Sequence, residues 1–319
     1  MLRRYIFAVL AIAAVQSAVA QEKINLAIGT GGTGGVYYPL GGGLANLLSK
    51  FVPGMQATAE VTGGSVDNLK LIASGKPYIG FTMADAGQDA YRGEDKFTGN
   101  KVPLKTLLVL YPNRMHVVTV EGAGVIRFAD IKGKRVSTGS PGSATEVMAF
   151  RAIEAMGLDR ERDIRRERLG VAESVGALKD KKIDAFFWVG GLPTGAVSDL
   201  ANTPNTKIKM VDHSEAVAGM NKKYGSLYVE DTIPKATYRG MDSDNKIATV
   251  WNILVVHEKM SDQTAYNIVK TIFEKRADLI AVHNEAENIK IEYQKNATTP
   301  IPFHPGAVRY IAERGGKLN

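Results

Sequence analysis

Hydrophobic and polar positions along the chain alternate between two periods. Ile24-Asn-Leu-Ala-Ile28 is short and apolar and predicts a buried strand. A run with five glycines in seven residues follows, Gly29-Thr-Gly-Gly-Thr-Gly-Gly35. Leu40, Leu44, Leu47, Leu48 and Phe51 then recur at helical spacing, with Pro39 in the first turn, where a missing N–H is tolerated. Strand, glycine turn and helix start bring unpaired N–H groups and the positive end of a helix dipole to one spot, an arrangement suited to an anion.

The pattern recurs downstream. Strands are predicted at 56–61, 78–82, 164–169, 183–189 and 207–211, with a short one at 135–137. Helices are predicted from Ser65, as cap, to Ser74, and then at 84–92, 173–180 and 214–224. Thr106–Leu110 and Met115–Val120 read as two apolar runs separated by Tyr111-Pro-Asn-Arg114, carrying the chain from one lobe to another. Thr138–Thr145 leads into a helix ending near Met156, with Ser143 and Glu146 spaced as a capping box. Ile247–Val256 reads as a return strand and Asp262–His283 as one long amphipathic helix. A Pro-rich turn and a short helix from Gly306 close the chain. Strands alternating with helices predict an α/β protein with largely parallel sheets. Two lobes with two crossings between them predict a hinge and a ligand cleft, with ligand beyond the C-terminal strand ends.

Composition narrows the chemistry. Arg3 and Arg4 precede an apolar run and the small residues Ala18-Val-Ala20, so residues 1–20 read as a cleavable export signal, cut after Ala20. The net charge of +7 falls to +5 when Arg3 and Arg4 leave. There is no Cys, which removes disulfides, thiolate metal sites and thiol nucleophiles. The five His residues show no H-E-x-x-H spacing and no G-x-S-x-G elbow occurs, so neither a metal, a cofactor nor catalysis is expected. The run Arg160–Arg168 alternates in sign and reads as a solvated edge, not a nucleic-acid footprint. Gly29, Gly31 and Gly34 satisfy the dinucleotide spacing G-x-G-x-x-G, although so glycine-rich a run satisfies many patterns; a secreted dinucleotide-dependent enzyme stays open as an alternative.

Several stretches resemble one family: Gly29–Pro39, Gly64-Ser-Val-Asp-Asn68, Leu110–Val118, Phe187-Trp-Val-Gly-Gly-Leu-Pro-Thr-Gly-Ala196 and Ile301–Ala307. They are similar to the TAXI family, solute-binding subunits of TRAP transporters, over nearly the whole chain after the signal. The resemblance implies a monomeric two-lobed periplasmic binding protein of type II-like fold, not an enzyme. Such a protein closes on a small organic acid, glutamate or a C5 relative such as 2-oxoglutarate, and delivers it to a membrane permease. Its lobes would be 21–113 with 250–319, and 114–249. The pocket implied by the family motifs holds Thr30, Gly32, Tyr38, Ser65 and Asn68, faced by Ser140, Ser143 and Thr145, with Asp85 and Trp188 completing the set. Where the family commonly has Gln-Ser-Asp this chain has Met83-Ala-Asp85, which removes an amide and a hydroxyl donor. A binding component of an ATP-driven importer is the alternative within the same class.

Overall fold

The structure, a computed structural model, describes residues 23–76 and 78–319. The export signal expected at 1–20 lies outside them. In chain order the first half holds β1 (Ile24–Gly29), α1 (Tyr37–Phe51), β2 (Met55–Glu60), α2 (Ser65–Ala73), β3 (Tyr78–Met83), α3 (Ala84–Arg92) and β4 (Leu104–Val120). Then come β5 (Arg135–Ser137), α4 (Ala144–Ala155), β6 (Arg165–Glu167), α5 (Val171–Lys179), β7 (Ala185–Gly190), α6 (Gly195–Ala201), β8 (Ile208–Met210) and α7 (Ala216–Tyr224). The chain ends with β9 (Val229–Ile233), β10 (Asn245–His257), α8 (Asp262–Glu274), α9 (Arg276–Val282) and α10 (Pro305–Glu313).

Ten strands form one sheet, along the order β2-β1-β3-β10-β4-β7-β5-β6, with β8 on β4 and β9 on β10. β1 pairs in parallel with β2 and β3, and β5 in parallel with β6 and β7. Between these two parallel groups run β4 and β10, antiparallel to each other and to their neighbours. The expectation of largely parallel sheets is therefore corrected to a mixed sheet, because the two connecting strands pair with everything they pass.

β4 also corrects the reading of two short runs. It is continuous for 17 residues, with Leu107, Leu108, Val109, Met115 and Val117 all fully buried. Its first half pairs with the C-terminal half of β10, and its second half with β7 and β8. Pro112 sits opposite Trp251, and the register of the pair slips beside it. A proline in a central strand removes a ladder donor, so a bulge at that point is its expected consequence.

Local chemistry explains the helices. α1 buries Leu40, Leu44, Leu47 and Leu48, the stripe its spacing predicts. The single helix expected over 262–283 is broken at Lys275 into α8 and α9. Ser65 is not a cap: Gly64 occupies that place at φ 123°, and the Ser65 hydroxyl accepts the Met83 N–H at 3.2 Å. Ser143 does cap α4, accepting the Glu146 N–H, but the Glu146 carboxylate turns away to Arg168 and no reciprocal box forms.

Candidate functional site

The turns that follow β1, β2, β5 and β6 all leave the C-terminal ends of their strands, and together with the last residues of β7 they enclose one cavity of about 390 Å³. Residues from both parallel groups line it: Gly31, Gly32 and Tyr37 on one side, Ser140, Ser143 and Thr145 on the other. The first turns of α1, α2 and α4 open onto it, through Val36 and Tyr37, Ser65, and Ala144 and Thr145. α1 and α2 start without any side-chain cap. Among the described residues, the N–H groups of Gly31, Gly32, Gly139 and Ser140 find no acceptor within the protein. Gly31 and Gly139 are buried, Ser140 is half-buried and Gly32 is exposed. A buried N–H without a partner is unfavourable, and unpaired N–H groups around one cavity favour an anion there.

The walls are more apolar than the turns suggest. Val61, Met83, Leu169, Val171, Trp188 and Val189 all line the cavity. Among the described residues Arg168 is the one cationic side chain in the lining, and both its Nε and Nη2 donate to the buried carboxylate of Glu146, at 2.7 and 3.2 Å. No grouping of His, Asp or Glu among the described residues could hold a metal ion.

Across the cavity the two groups of turns touch. Asp67 N–H donates to the Gly142 carbonyl at 3.1 Å, Ser140 Oγ to the Gly63 carbonyl at 3.0 Å, and Ala196 N–H to the Gly34 carbonyl at 3.2 Å. Glycine is required at two of these contacts. A Cβ on Gly63 would stand 2.4 Å from the Pro141 carbonyl, and one on Gly142 2.3 Å from the Asp67 carboxyl carbon.

The ten residues expected in the pocket fall into two sets. Gly32, Ser65, Ser140, Ser143, Thr145 and Trp188 line the cavity. Trp188 packs its ring against Gly35, where a Cβ would lie 2.8 Å from Cη2, and its Nε1 donates to Thr194. Thr30, Tyr38, Asn68 and Asp85 lie outside the lining. Thr30 is fully buried and ties its hydroxyl to the Glu60 carbonyl at 2.6 Å. Tyr38 is exposed, and its neighbour Tyr37 turns inward instead, its hydroxyl donating to the Asn252 side chain. Asn68 is spent within the fold: its amide donates to the carbonyls of Thr30 and Phe81, and its oxygen accepts from Thr62.

Asp85 is 0% exposed and belongs to a separate buried cluster joining α3 to α4. Arg151 on α4 donates to Asp89 at 2.5 Å and stands 3.8 Å from Asp85, while the Tyr228 hydroxyl bridges Arg151 and Asp85. One guanidinium thus faces two carboxylates. Burial lifts both acids above their ordinary range, Asp89 to about 7, against the pull of Arg151.

Sequence reasoning missed Tyr37, Tyr111, Arg168 and Glu173, all in the lining. Tyr111 stood in a stretch already singled out, whereas Arg168 was hidden in an alternating charge run. A wider depression of about 860 Å³ lies elsewhere, around Phe150. Its charges pair among themselves, as in Arg162 with Asp159 and Lys223 with Glu154, so it offers no convergent free donors.

Comparison with known proteins agrees with this architecture. The model of the NMT1-like family matches residues 28–315. The fold is similar to a structure described as a periplasmic transporter, at 12% identity and a TM-score of 0.57 over 84% of this chain and 88% of that one. It is similar to the periplasmic binding protein BugD, at 12% identity and 0.54 over 84% and 87%. A third likeness is the alkanesulfonate-binding protein SsuA from Xanthomonas axonopodis pv. citri bound to MOPS, at 14% identity and 0.50 over 92% and 85%. The α/β fold is therefore that of the two-lobed periplasmic binding proteins, type II-like, with a mixed sheet.

Proposed function

The chain belongs to the NMT1-like family, and from that premise we propose that it is a periplasmic solute-binding protein, not an enzyme, that closes on a small organic anion. The observation that carries the reading is the convergence of the α1, α2 and α4 N-termini on one cavity beyond the strand ends. Their dipoles, with the uncapped N–H groups of α1 and α2, provide for one carboxylate without a buried cation. Charge-assisted bonds to such a group are roughly twice as strong as neutral ones.

The ligand in this reading is a C5 acid, glutamate or 2-oxoglutarate, and the protein, a monomer, delivers it to a TRAP-type permease. The motif resemblance supports that choice of transporter. The lobes are 21–113 with 250–319, and 114–249, so that β4 and β10 supply the two crossings. Residues 1–20 direct export. Gly32, Ser65, Ser140, Ser143, Thr145 and Trp188 are the proposed contacts among those expected, joined by Tyr37.

A thermal-shift screen of C3–C6 organic and amino acids tests this. A ligand that binds only the folded chain at a hundredfold excess over Kd adds about 2.7 kcal/mol. That corresponds to a rise of several degrees, at roughly 2–4 °C per kcal/mol. Stabilisation by nucleotides or sugars, and by none of the acids, overturns the reading.

A further inference from the structure

One lining residue has chemistry left over. Tyr111, in the middle of β4, is 0% exposed, yet its hydroxyl has no hydrogen-bond partner. The ring is held firmly: a Cβ on Gly191 would stand 3.0 Å from its Cε2, so glycine there leaves just enough room for it. Its neighbour Tyr37, on the same cavity, has its hydroxyl committed to Asn252. Ser65 accepts the Met83 N–H and Thr145 the Val189 N–H. Among the described residues of this lining, the Tyr111 hydroxyl is the buried side-chain polar group that makes no hydrogen bond of either kind.

A phenylalanine would fill the same space without stranding a polar atom, and buried polar groups in folded proteins are nearly always paired. Tyr111 lines the cavity, so a ligand seated there is a partner the fold leaves room for. We infer that Tyr111 determines specificity, donating to a second oxygen of a ligand whose carboxylate rests on the helix N-termini. Burial raises its pKa, so it stays a neutral phenol, a donor, throughout the physiological range. The ligand class is thereby narrowed from organic anions in general to acids carrying a further oxygen acceptor: an oxo, hydroxy or second carboxylate group. Simple alkanoates of the same length lack it. Sites that hydrogen-bond a ligand's polar group reject the analogue lacking it far more strongly than apolar pockets reject a size mismatch.

The inference rests on the solute-binding reading, and titration calorimetry with Y111F separates the two. The probes are 2-oxoglutarate, glutarate, 2-hydroxyglutarate and glutamate, with pentanoate as the matched acid that has no second acceptor. The wild type is expected to bind at least one of the first four tenfold or more tighter than pentanoate. Y111F is expected to lose tenfold or more for that acid, while its affinity for pentanoate stays within twofold. The ligand-free variant should melt no lower than the wild type, since it loses only an unpaired hydroxyl; a hydroxyl that the fold itself uses would lower it. Unchanged affinity in Y111F, an equal loss for both kinds of acid, or a wild type that binds pentanoate as tightly, overturns this inference and leaves the solute-binding reading standing. A wild type that binds none of the five acids overturns the C5-acid reading and this inference with it.

Discussion

Asn68 and Tyr38 illustrate how side chains one helical step apart part company. On α2, Asn68 turns into the sheet and closes three hydrogen bonds, to Thr30, Phe81 and Thr62, while Ser65, one turn earlier, reaches the cavity. Asn68→Ala should therefore lower stability, by about 2–3 kcal/mol given that buried partners are left unpaired. Urea denaturation without ligand measures this, and unchanged stability would return Asn68 to the list of ligand contacts. On α1, Tyr38 is exposed and Tyr37 half-buried, a rotation of about 100° between neighbours. The glycine turn and its helix were readable from residue spacing. Which of two adjacent tyrosines faces inward was not, because α1's apolar stripe begins only at Leu40, and the orientation of the first turn depends on Asn252 far away in sequence.

At the scale of elements, two contacts carry consequences. The turns after β2 and β5 meet through Gly63, whose backbone is free of positive φ but whose missing Cβ would stand 2.4 Å from the Pro141 carbonyl. Gly63→Ala should leave each half folded yet hold these turns apart, weakening ligand binding at least tenfold with little change in ligand-free melting temperature. Wild-type affinity in this variant would show that the turns need not touch.

The second contact joins α3 to α4, where Arg151 faces Asp85 and Asp89. Asp89, lifted to about 7 mainly by burial, holds its proton more tightly folded than unfolded. Its contribution is then fully present below pH about 4 and is lost as pH rises through about 7. The buried His116 and His213, depressed to about 3 and about 4, act in the opposite direction, since the unfolded chain protonates them first on acidification. Comparing Asp89→Asn with the wild type isolates the carboxylate: the variant should gain relative stability steadily from pH 4 to pH 8. A flat difference would mean that Arg151 keeps Asp89 ionised throughout. None of this was readable from sequence, where Asp85 stood only as an expected pocket residue and neither Asp89 nor Arg151 was singled out.

Over the whole molecule, the two parallel strand groups communicate through β4 and β10 and through the turns at the cavity. The turns contribute three hydrogen bonds between mostly backbone groups, a small restraint, each worth about 0.5–1.5 kcal/mol net. At Pro112 and Trp251 the β4–β10 ladder slips register, and beside it Asn113 Oδ1 and Asn252 Nδ2 have no partner among the described residues. Alternating strands and helices announced an α/β sheet, but the antiparallel central pair is set by two long strands whose partners are distant in sequence, which no local pattern encodes. If the strands bend there, the halves part once the turns let go, and ligand, by bridging α1 and α2 to α4, favours the closed state by its differential affinity. Small-angle scattering on the mature chain should then give a radius of gyration near that of a compact chain of about 300 residues, about 19 Å, with saturating ligand, and a larger value without. Gly63→Ala should keep the larger value even with ligand, because its Cβ obstructs the closing contact. An identical radius for the wild type with and without ligand, at concentrations where calorimetry shows saturation, would mean that the cavity fills without any hinge motion.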